Sequence, residues 1–139
     1  MKALRRSQRR LLRVLFLLSV FVTLSATSSF AGSITVTVSP TRITDQGEEA
    51  IFNIHVTPAP LGRRAIPFVM AGTAIQGRDY ALFGSLSRGQ IVIEPGVTDT
   101  PITLHSFDGE GYFRRFATLL LFGSHNPRNH ATVRIENVP

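Results

Sequence analysis

Few side chains in this 139-residue sequence have types and spacing suited to chemistry. Asp108 and Glu110 flank Gly109, and two neighbouring carboxylates can serve as a general acid and a general base. A turn rich in glycine and acid has the same pattern far more often, and no element that would form a cleft lies beside the pair. We therefore interpret residues 108–110 as a turn.

The histidines lack the spacing of metal ligands. No two of them form an H-x-H or H-x-x-x-H motif, so we expect surface histidines at His55, His105, His125 and His130. The sequence has no cysteine, which excludes a thiol nucleophile and zinc sites of the usual spacing. It also has no G-x-S-x-G elbow and no P-loop. These features predict a protein that is not an enzyme.

The excess positive charge is confined to the first segment. The chain has 15 Lys and Arg against nine Asp and Glu, a formal charge of +6. Six of those cations and none of the acids lie in residues 1–31, so the nine arginines that follow balance the nine acids. A neutral domain has no general attraction for polyanions, and we predict no nucleic-acid partner.

Residues 1–31 have the layout of a secretory signal peptide. A cationic stretch is followed by the 13-residue apolar run Val14–Ala26, and Ser29 and Ala31 offer small residues before a cleavage point. A helix of that run covers roughly 20 Å, which is short of the ~30 Å hydrocarbon core. We expect residues 32–139 to be an exported domain in the periplasm, the medium or the cell surface, in contact with the membrane only through an uncleaved signal.

Apolar and polar side chains alternate in short runs through residues 32–139, which is typical of half-buried strands. Ala50, Phe52 and Ile54, for example, share one face of their run. Seven such runs occur, at 33–39, 50–56, 65–71, 90–94, 100–106, 115–122 and 131–136. They predict an all-β fold, an antiparallel immunoglobulin-like β-sandwich of about seven strands, with a small closed barrel as the alternative.

Two motifs make the prediction more specific. Gly72–Tyr80 reads G-T-A-x-x-G-x-D-Y, and Gly89–Gly96 follows as a G-x-φ-x-φ-x-P-G run, where φ is an apolar residue. In this order they resemble the Calx-β domain, a β-sandwich family known from sodium–calcium exchangers, integrin β4 and bacterial surface proteins. The similarity covers most of residues 34–136. Between the motifs this chain is longer than is usual, which predicts an extended loop at Ala81–Arg88.

The Calx-β resemblance implies a calcium site where acidic loops gather at one end of the sandwich. The positions that match the family pattern, or lie close to it, are Asp45, Glu48 (or Glu49), Asp79, Asp108 and Glu110. The family's last element, D-D-x-x-x-E-x-x-E, is degenerate here, because Gly109 replaces the second acid and Phe113, Arg114 and Arg115 occupy the stretch where further acids are expected. We hypothesise that Arg114 or Arg115 stands where calcium would bind.

Three functions are compatible with these sequence features. The first is a non-catalytic exported module that binds calcium or another cell-surface or extracellular protein, with Phe83, Tyr112 and Phe113 as interaction residues. The second is a metal-independent structural or adhesion module. The third is a small carbohydrate- or ligand-binding domain that uses the Ala81–Arg88 loop, although the absence of tryptophan counts against an aromatic platform for sugars.

Overall fold

A computed structural model describes residues 32–109, 113–122 and 129–137. The predicted signal peptide, Glu110, Tyr112 and His125 lie outside the described residues. The described part is all-β, with ten strands: β1 (Ser33–Ser39), β2 (Arg42–Thr44), β3 (Glu49–Thr57), β4 (Arg64–Gly72), β5 (Tyr80–Gly84), β6 (Leu86–Ser87), β7 (Gln90–Ile93), β8 (Asp99–Ser106), β9 (Arg114–Leu121) and β10 (His130–Glu136). Within these ranges, no helix of sufficient length and apolarity to span a membrane occurs.

The strands form two sheets, and the β-sandwich prediction is confirmed. One sheet has four strands in the order β1-β3-β8-β5, and the other has six in the order β2-β10-β9-β4-β7-β6. All neighbouring strands are antiparallel except β2 and β10, which run parallel through Arg42–Thr44 and Arg134–Glu136. This parallel pair differs from the prediction of a purely antiparallel sandwich. It forms because β2 lies beside β10, the last strand, and runs in the same direction.

All seven predicted runs are strands, and three further strands were missed. β2 and β6 have only three and two residues, which is too short for an alternating pattern. The prediction of an extended loop at Ala81–Arg88 is wrong. Most of that segment belongs to β5 and β6, because β5 pairs with β8 from Tyr80 to Gly84, a contact that its own sequence pattern does not specify.

The core lies between the sheets and follows the alternation of the strands. Ala50, Phe52, Ile54 and Val56 of β3 are fully buried, as the sequence predicted. On the facing sheet, the inward residues of β9 and β10 are Ala117, Leu119, Leu121, Val133 and Ile135. Arg115 has the same parity as Ala117 and Leu119, so β9 directs a guanidinium toward the end of the core.

Gly72, at the end of β4, is required by close backbone contact. Its φ is 114°, and a Cβ at this position would overlap the carbonyl oxygen of Phe116 and lie 2.9 Å from its carbonyl carbon. That carbonyl cannot easily move, since it accepts a hydrogen bond from the amide of Ala74 at 2.9 Å.

We expect Gly72→Ala to lower the free energy of unfolding by about 2–4 kcal/mol, through positive-φ strain and overpacking. Urea unfolding measures the change. Gly62→Ala is the matched control, because a Cβ there meets no atom within 4 Å, and it should change stability by less than about 0.5 kcal/mol. Equal effects of the two variants would contradict the assignment.

Candidate functional site

Three chain segments meet at one end of the sandwich. They are the turn from β2 to β3, the connection from β4 to β5 that carries Asp79, and the segment that leaves β8 toward β9. The amide of Phe107 donates to the carbonyl of Asp79 at 2.9 Å, and the amide of Gly109 donates to Oδ2 of Asp45 at 3.1 Å. Residues 107–109 therefore connect the two aspartates, as the family resemblance implies for this end.

Asp79 is the most heavily bonded side chain at this end. Its residue is only 5% exposed. Oδ2 accepts hydrogen bonds from the amide of Ile75 at 2.7 Å and from Nη2 of Arg78 at 3.2 Å, and Oδ1 accepts from Nε of Arg78 at 3.1 Å. Nη1 of Arg115 also contacts Oδ1. Both carboxylate oxygens are thus held by guanidinium and amide donors.

The electrostatic environment keeps Asp79 ionised. Burial opposes the charge and by itself raises the pKa of this carboxyl, but the hydrogen bonds from Arg78 and Ile75 and the charges of Arg115 and Arg78 outweigh it. The pKa of Asp79 therefore lies below its ordinary value. Burial, with a smaller contribution from the Asp79 charge, raises the pKa of the neighbouring Tyr80 hydroxyl.

Arg115, rather than Arg114, approaches the acidic site. The Arg115 side chain is 28% exposed, and its guanidinium lies over the ring of Phe113 with 4.3 Å between the guanidinium carbon and the ring centroid. Stacking on an aromatic face is favourable for a cation that has been partly desolvated. The alternation of side chains along β9 predicts that Arg115 points inward and Arg114 outward, because Arg115 shares its face with the buried Ala117 and Leu119.

Arg114 points to the other side of β9 and belongs to a second charge cluster. Oε1 of Glu136 lies 2.9 Å from Nε of Arg114 and 2.8 Å from Nε of Arg134, and Oε2 lies 3.4 Å from Nε of Arg42. The first two are ion pairs without aligned hydrogen bonds, since neither Nε–H is directed at the buried Oε1. Residue spacing did not reveal this cluster, because Arg114 meets Glu136 through the pairing of β9 with β10, and Arg42 meets it through the parallel pairing of β2 with β10.

Asp45 holds the loop backbone. The residue is 1% exposed, its amide donates to the carbonyl of Glu136 at 3.1 Å, and its Oδ2 accepts from Gly109. A Cβ on Gly109 would lie 2.6 Å from the ring of Phe113. Glycine at position 109 and the Phe113 ring are therefore linked, because a side chain at position 109 would occupy the space of the ring.

The other predicted ligands are used differently or lie apart. Glu48 closes its own turn, since its Oε2 accepts the amide of Thr44 at 2.7 Å. Asp108 is exposed on an open cleft of about 500 Å³ whose other lining residues are Gln46, Gly47, His105, Ser106 and Phe107.

These residues do not fit a calcium ion. Calcium takes six to eight oxygen ligands at 2.3–2.6 Å, whereas the Asp79 oxygens are held by arginine and amide donors and Oδ2 of Asp45 by an amide. Across residues 32–109, 113–122 and 129–137, no three acidic or histidine side chains cluster in a way that could hold a metal.

Two of the three predicted interaction residues, Phe83 and Phe113, lie in different surroundings, and Tyr112 lies outside the described residues. Phe83 lies on the outer face of β5 and is 56% exposed. Phe113 is half-buried and its ring carries the Arg115 guanidinium, so it serves the acidic site rather than a free surface.

The outer face of the four-stranded sheet carries a network that sequence reasoning missed. Nδ1 of His55 lies 2.9 Å from Oδ1 of Asp99, and Nε2 lies 2.8 Å from the hydroxyl of Thr57. Asn53 donates to the same carboxylate oxygen at 2.9 Å. Hydrogen bonds from His55, Asn53 and Thr98 lower the pKa of Asp99. About half of the His55 and Asp99 side chains is exposed, so the network ties β3 to β8 on an open surface.

Known proteins resemble this chain in structure. No family model matches the sequence, and no curated protein does. The crystal structure of CBD12 from CALX1.2, a Calx-β structure, is similar with a TM-score of 0.53 and 18% identity. The chain has the Calx-β fold. The match covers 75% of this chain and 44% of that chain, so this chain spans less than half the length of that structure. The resemblance drawn from Gly72–Tyr80 and Gly89–Gly96 is confirmed for the fold, and the similar structure is a Calx-β domain rather than an enzyme.

Replacing the inward arginine should cost far more stability than replacing the outward one. Arg115→Gln leaves the Asp79 carboxylate with fewer cations in a buried position, and we expect a loss of about 2–4 kcal/mol. Arg114→Gln removes an ion pair from a side chain that is 66% exposed and should cost less than about 1 kcal/mol. Chemical denaturation of both variants checks this, and equal losses would contradict a special role for Arg115.

The Asp79 carboxylate should also make folding acid-sensitive. Its pKa is lowered in the folded protein, so the unfolded chain takes up the proton first as the pH falls. The stability contributed by this group is fully present above about pH 5 and is lost as the pH falls below about 4. Unfolding free energies measured from pH 6 to pH 2.5 should therefore fall less steeply in Asp79→Asn than in the parent chain.

The control for the acid series is Asp108→Asn, which removes an exposed carboxylate from the same end of the sandwich. Its stability profile should run parallel to that of the parent chain. A parent profile with the same slope as Asp79→Asn would exclude Asp79 as a source of the acid sensitivity.

Proposed function

We propose that this protein is an exported, metal-independent module of the Calx-β fold that acts by binding another extracellular or cell-surface protein, without catalysis. The observation that carries the metal-independent part is the position of Arg115, whose guanidinium contacts the carboxylate that the family resemblance assigns to calcium. A fixed cation of the protein takes the place of an exchangeable one.

The chemistry of the two cations explains why they exclude one another at Asp79. A guanidinium satisfies a carboxylate with directed hydrogen bonds and needs no further anionic ligands. Calcium needs several more oxygens, and it would have to approach the positive charges of Arg78 and Arg115. With Gly109 in place of a second acid and Asp45 bound to the loop amide, the balance favours the arginine.

Export is supported by the order of cationic, apolar and small residues in 1–31. A chain without cysteine can fold in an oxidising compartment with no risk of mispaired disulfides. The pairs around Asp79 and Glu136 tie the loops at one end without such bonds. An exported small domain with no catalytic motif is best suited to binding another protein.

Thermal unfolding of the full chain in calcium and in chelator tests metal independence. An extracellular-type site with a Kd of about 1 mM would add roughly 1.4 kcal/mol at about 10 mM calcium, which is a rise in Tm of about 5 °C or more. We expect a difference below about 1 °C. The control is magnesium at the same concentration, since it matches the ionic strength.

A rise of that size in calcium but not in magnesium would overturn metal independence and favour a calcium-binding module instead. Calorimetric titration of the same chain should then give a saturable heat. If neither is seen, the arginine-held site is the functional form of this end.

A further inference from the structure

An apolar cleft lies between the two sheets, beside β4 and β5. Its volume is about 350 Å³. Phe68 and Met70 of β4 and Leu86 of β6 line it from the six-stranded sheet, and Leu82 of β5 lines it from the four-stranded sheet. All four side chains are only partly buried. We call it the β4–β5 cleft. Apolar side chains from both sheets meet here beside the polar residues Gln76, Ser87 and Arg88, which also line it.

Open strand edges border this cleft. β5 is the last strand of the four-stranded sheet. The carbonyl of Tyr80 accepts a hydrogen bond from the amide of Gly77 at 2.8 Å, so this carbonyl points away from β8. Backbone groups two residues apart on a strand point to the same side, so the N–H and C=O of Leu82 also point away from β8. On the other sheet, the ladder between β4 and β7 ends at Pro67, and the amide of Phe68 still donates to the carbonyl of Gly89 at 3.4 Å, whereas Val69–Gly72 pair with β9 alone.

The outer face of β5 is apolar as well. Phe83 lies opposite Thr103, which in turn lies opposite Ile51, and both Phe83 and Ile51 are exposed, at 56% and 46%. A strand added beside β5 would place alternate side chains in the cleft and the others next to Phe83. Both faces of β5 therefore offer apolar contacts to a neighbour.

Arg88 provides charge at the rim of the cleft. It and Gly89 have positive φ, as a two-residue hairpin turn requires, and the Arg88 side chain is exposed. Within the part of the chain that the structure describes, Arg88 has no ion-pair or hydrogen-bond partner, whereas the other arginines there all have one. An apolar cleft with one unneutralised cation fits a partner that carries a carboxylate.

The β1 and β5 edges of a second copy are poorly suited to this cleft. Ile34 and Val36 of β1 are buried in their own core, at 4% and 5% exposure, and Leu82 of β5 already lines its own cleft. A folded copy would thus bring the backbone of these two edges without their inward apolar side chains. A segment that is extended and not yet part of a sheet brings both.

We propose that the β4–β5 cleft binds an extended segment of another protein, which adds to the free edge of β5 as a further strand. This segment has an apolar side chain at every second residue and an acidic residue beside Arg88. The inference deepens the proposed interaction role and rests on it, but its test does not involve calcium, so failure of one is distinguishable from failure of the other.

The test uses a capped octapeptide of sequence EVTVTVTE and the full chain labelled with ¹⁵N. Main-chain hydrogen bonds supply most of the affinity in strand addition, so a generic strand should bind, with a Kd below about 1 mM. We expect saturable amide shifts confined to residues 68–72 and 80–89. The same peptide with N-methyl groups on alternate residues keeps its side chains, loses ladder donors, and should not bind.

Charge exchange and a matched pair of variants locate the contact. The parent chain should prefer EVTVTVTE over KVTVTVTK by about three- to fivefold, and Arg88→Glu should reverse this order. Phe83→Ser should weaken binding by at least about fivefold, whereas Phe122→Ser should have no effect. Phe122 is the matched control because it is 55% exposed, close to the value for Phe83, but follows β9 instead of lying on β5.

Three outcomes would overturn the proposal. Absence of binding at about 1 mM peptide would exclude a strand-addition site. Equal binding of the N-methylated peptide would show a cleft for small apolar ligands instead. Sedimentation that shows a dimer of the unliganded chain, lost in Phe83→Ser, would show that a second copy occupies this edge.

Discussion

The carboxylate of Asp79 lies at the boundary between an apolar core and the loops that close one end of the sandwich. A buried charge without partners would cost several kcal/mol, so the surrounding chain has to supply them. Arg78 comes from the adjacent position, Ile75 from the start of the same turn, and Arg115 from β9. The backbone of Asp79 also receives the amide of Phe107. The connection from β4 to β5, the exit of β8 and the start of β9 are therefore fixed by one residue.

Three residues around Asp79 support one another. Arg115 supplies a positive charge, Phe113 supports its guanidinium, and Gly109 leaves the space that the Phe113 ring occupies. A side chain at position 109 would collide with the ring. Together these residues form an ion pair with an aromatic support, and Asp45 binds the amide of Gly109.

The cost and benefit of this arrangement differ from those of metal coordination. A guanidinium that belongs to the chain is present at every calcium concentration, so its contact with Asp79 does not depend on the medium. A calcium site would couple the order of the loops to the medium. The second cluster, in which Glu136 contacts three arginines, ties β2, β9 and β10 together at the same strand ends. Fixed charges of the chain thus connect the strand ends at this end of the sandwich.

Local alternation determined much of this structure. The period of two in the seven runs predicted the strands, their buried faces in β3, β8 and β10, and the all-β class, because neighbouring side chains on a strand must point to opposite sides. The G-T-A-x-x-G-x-D-Y motif predicted the Calx-β fold. Because Arg115 lies on the same face of β9 as Ala117 and Leu119, the alternation also identified which of the two arginines points inward.

Contacts between distant segments were decided only by the tertiary structure. β5 and β6 are strands because they pair with β8 and β7, and Asp79 meets an arginine 36 positions away. Such pairings depend on how the two sheets bring strand ends together, and no spacing within a single segment encodes that.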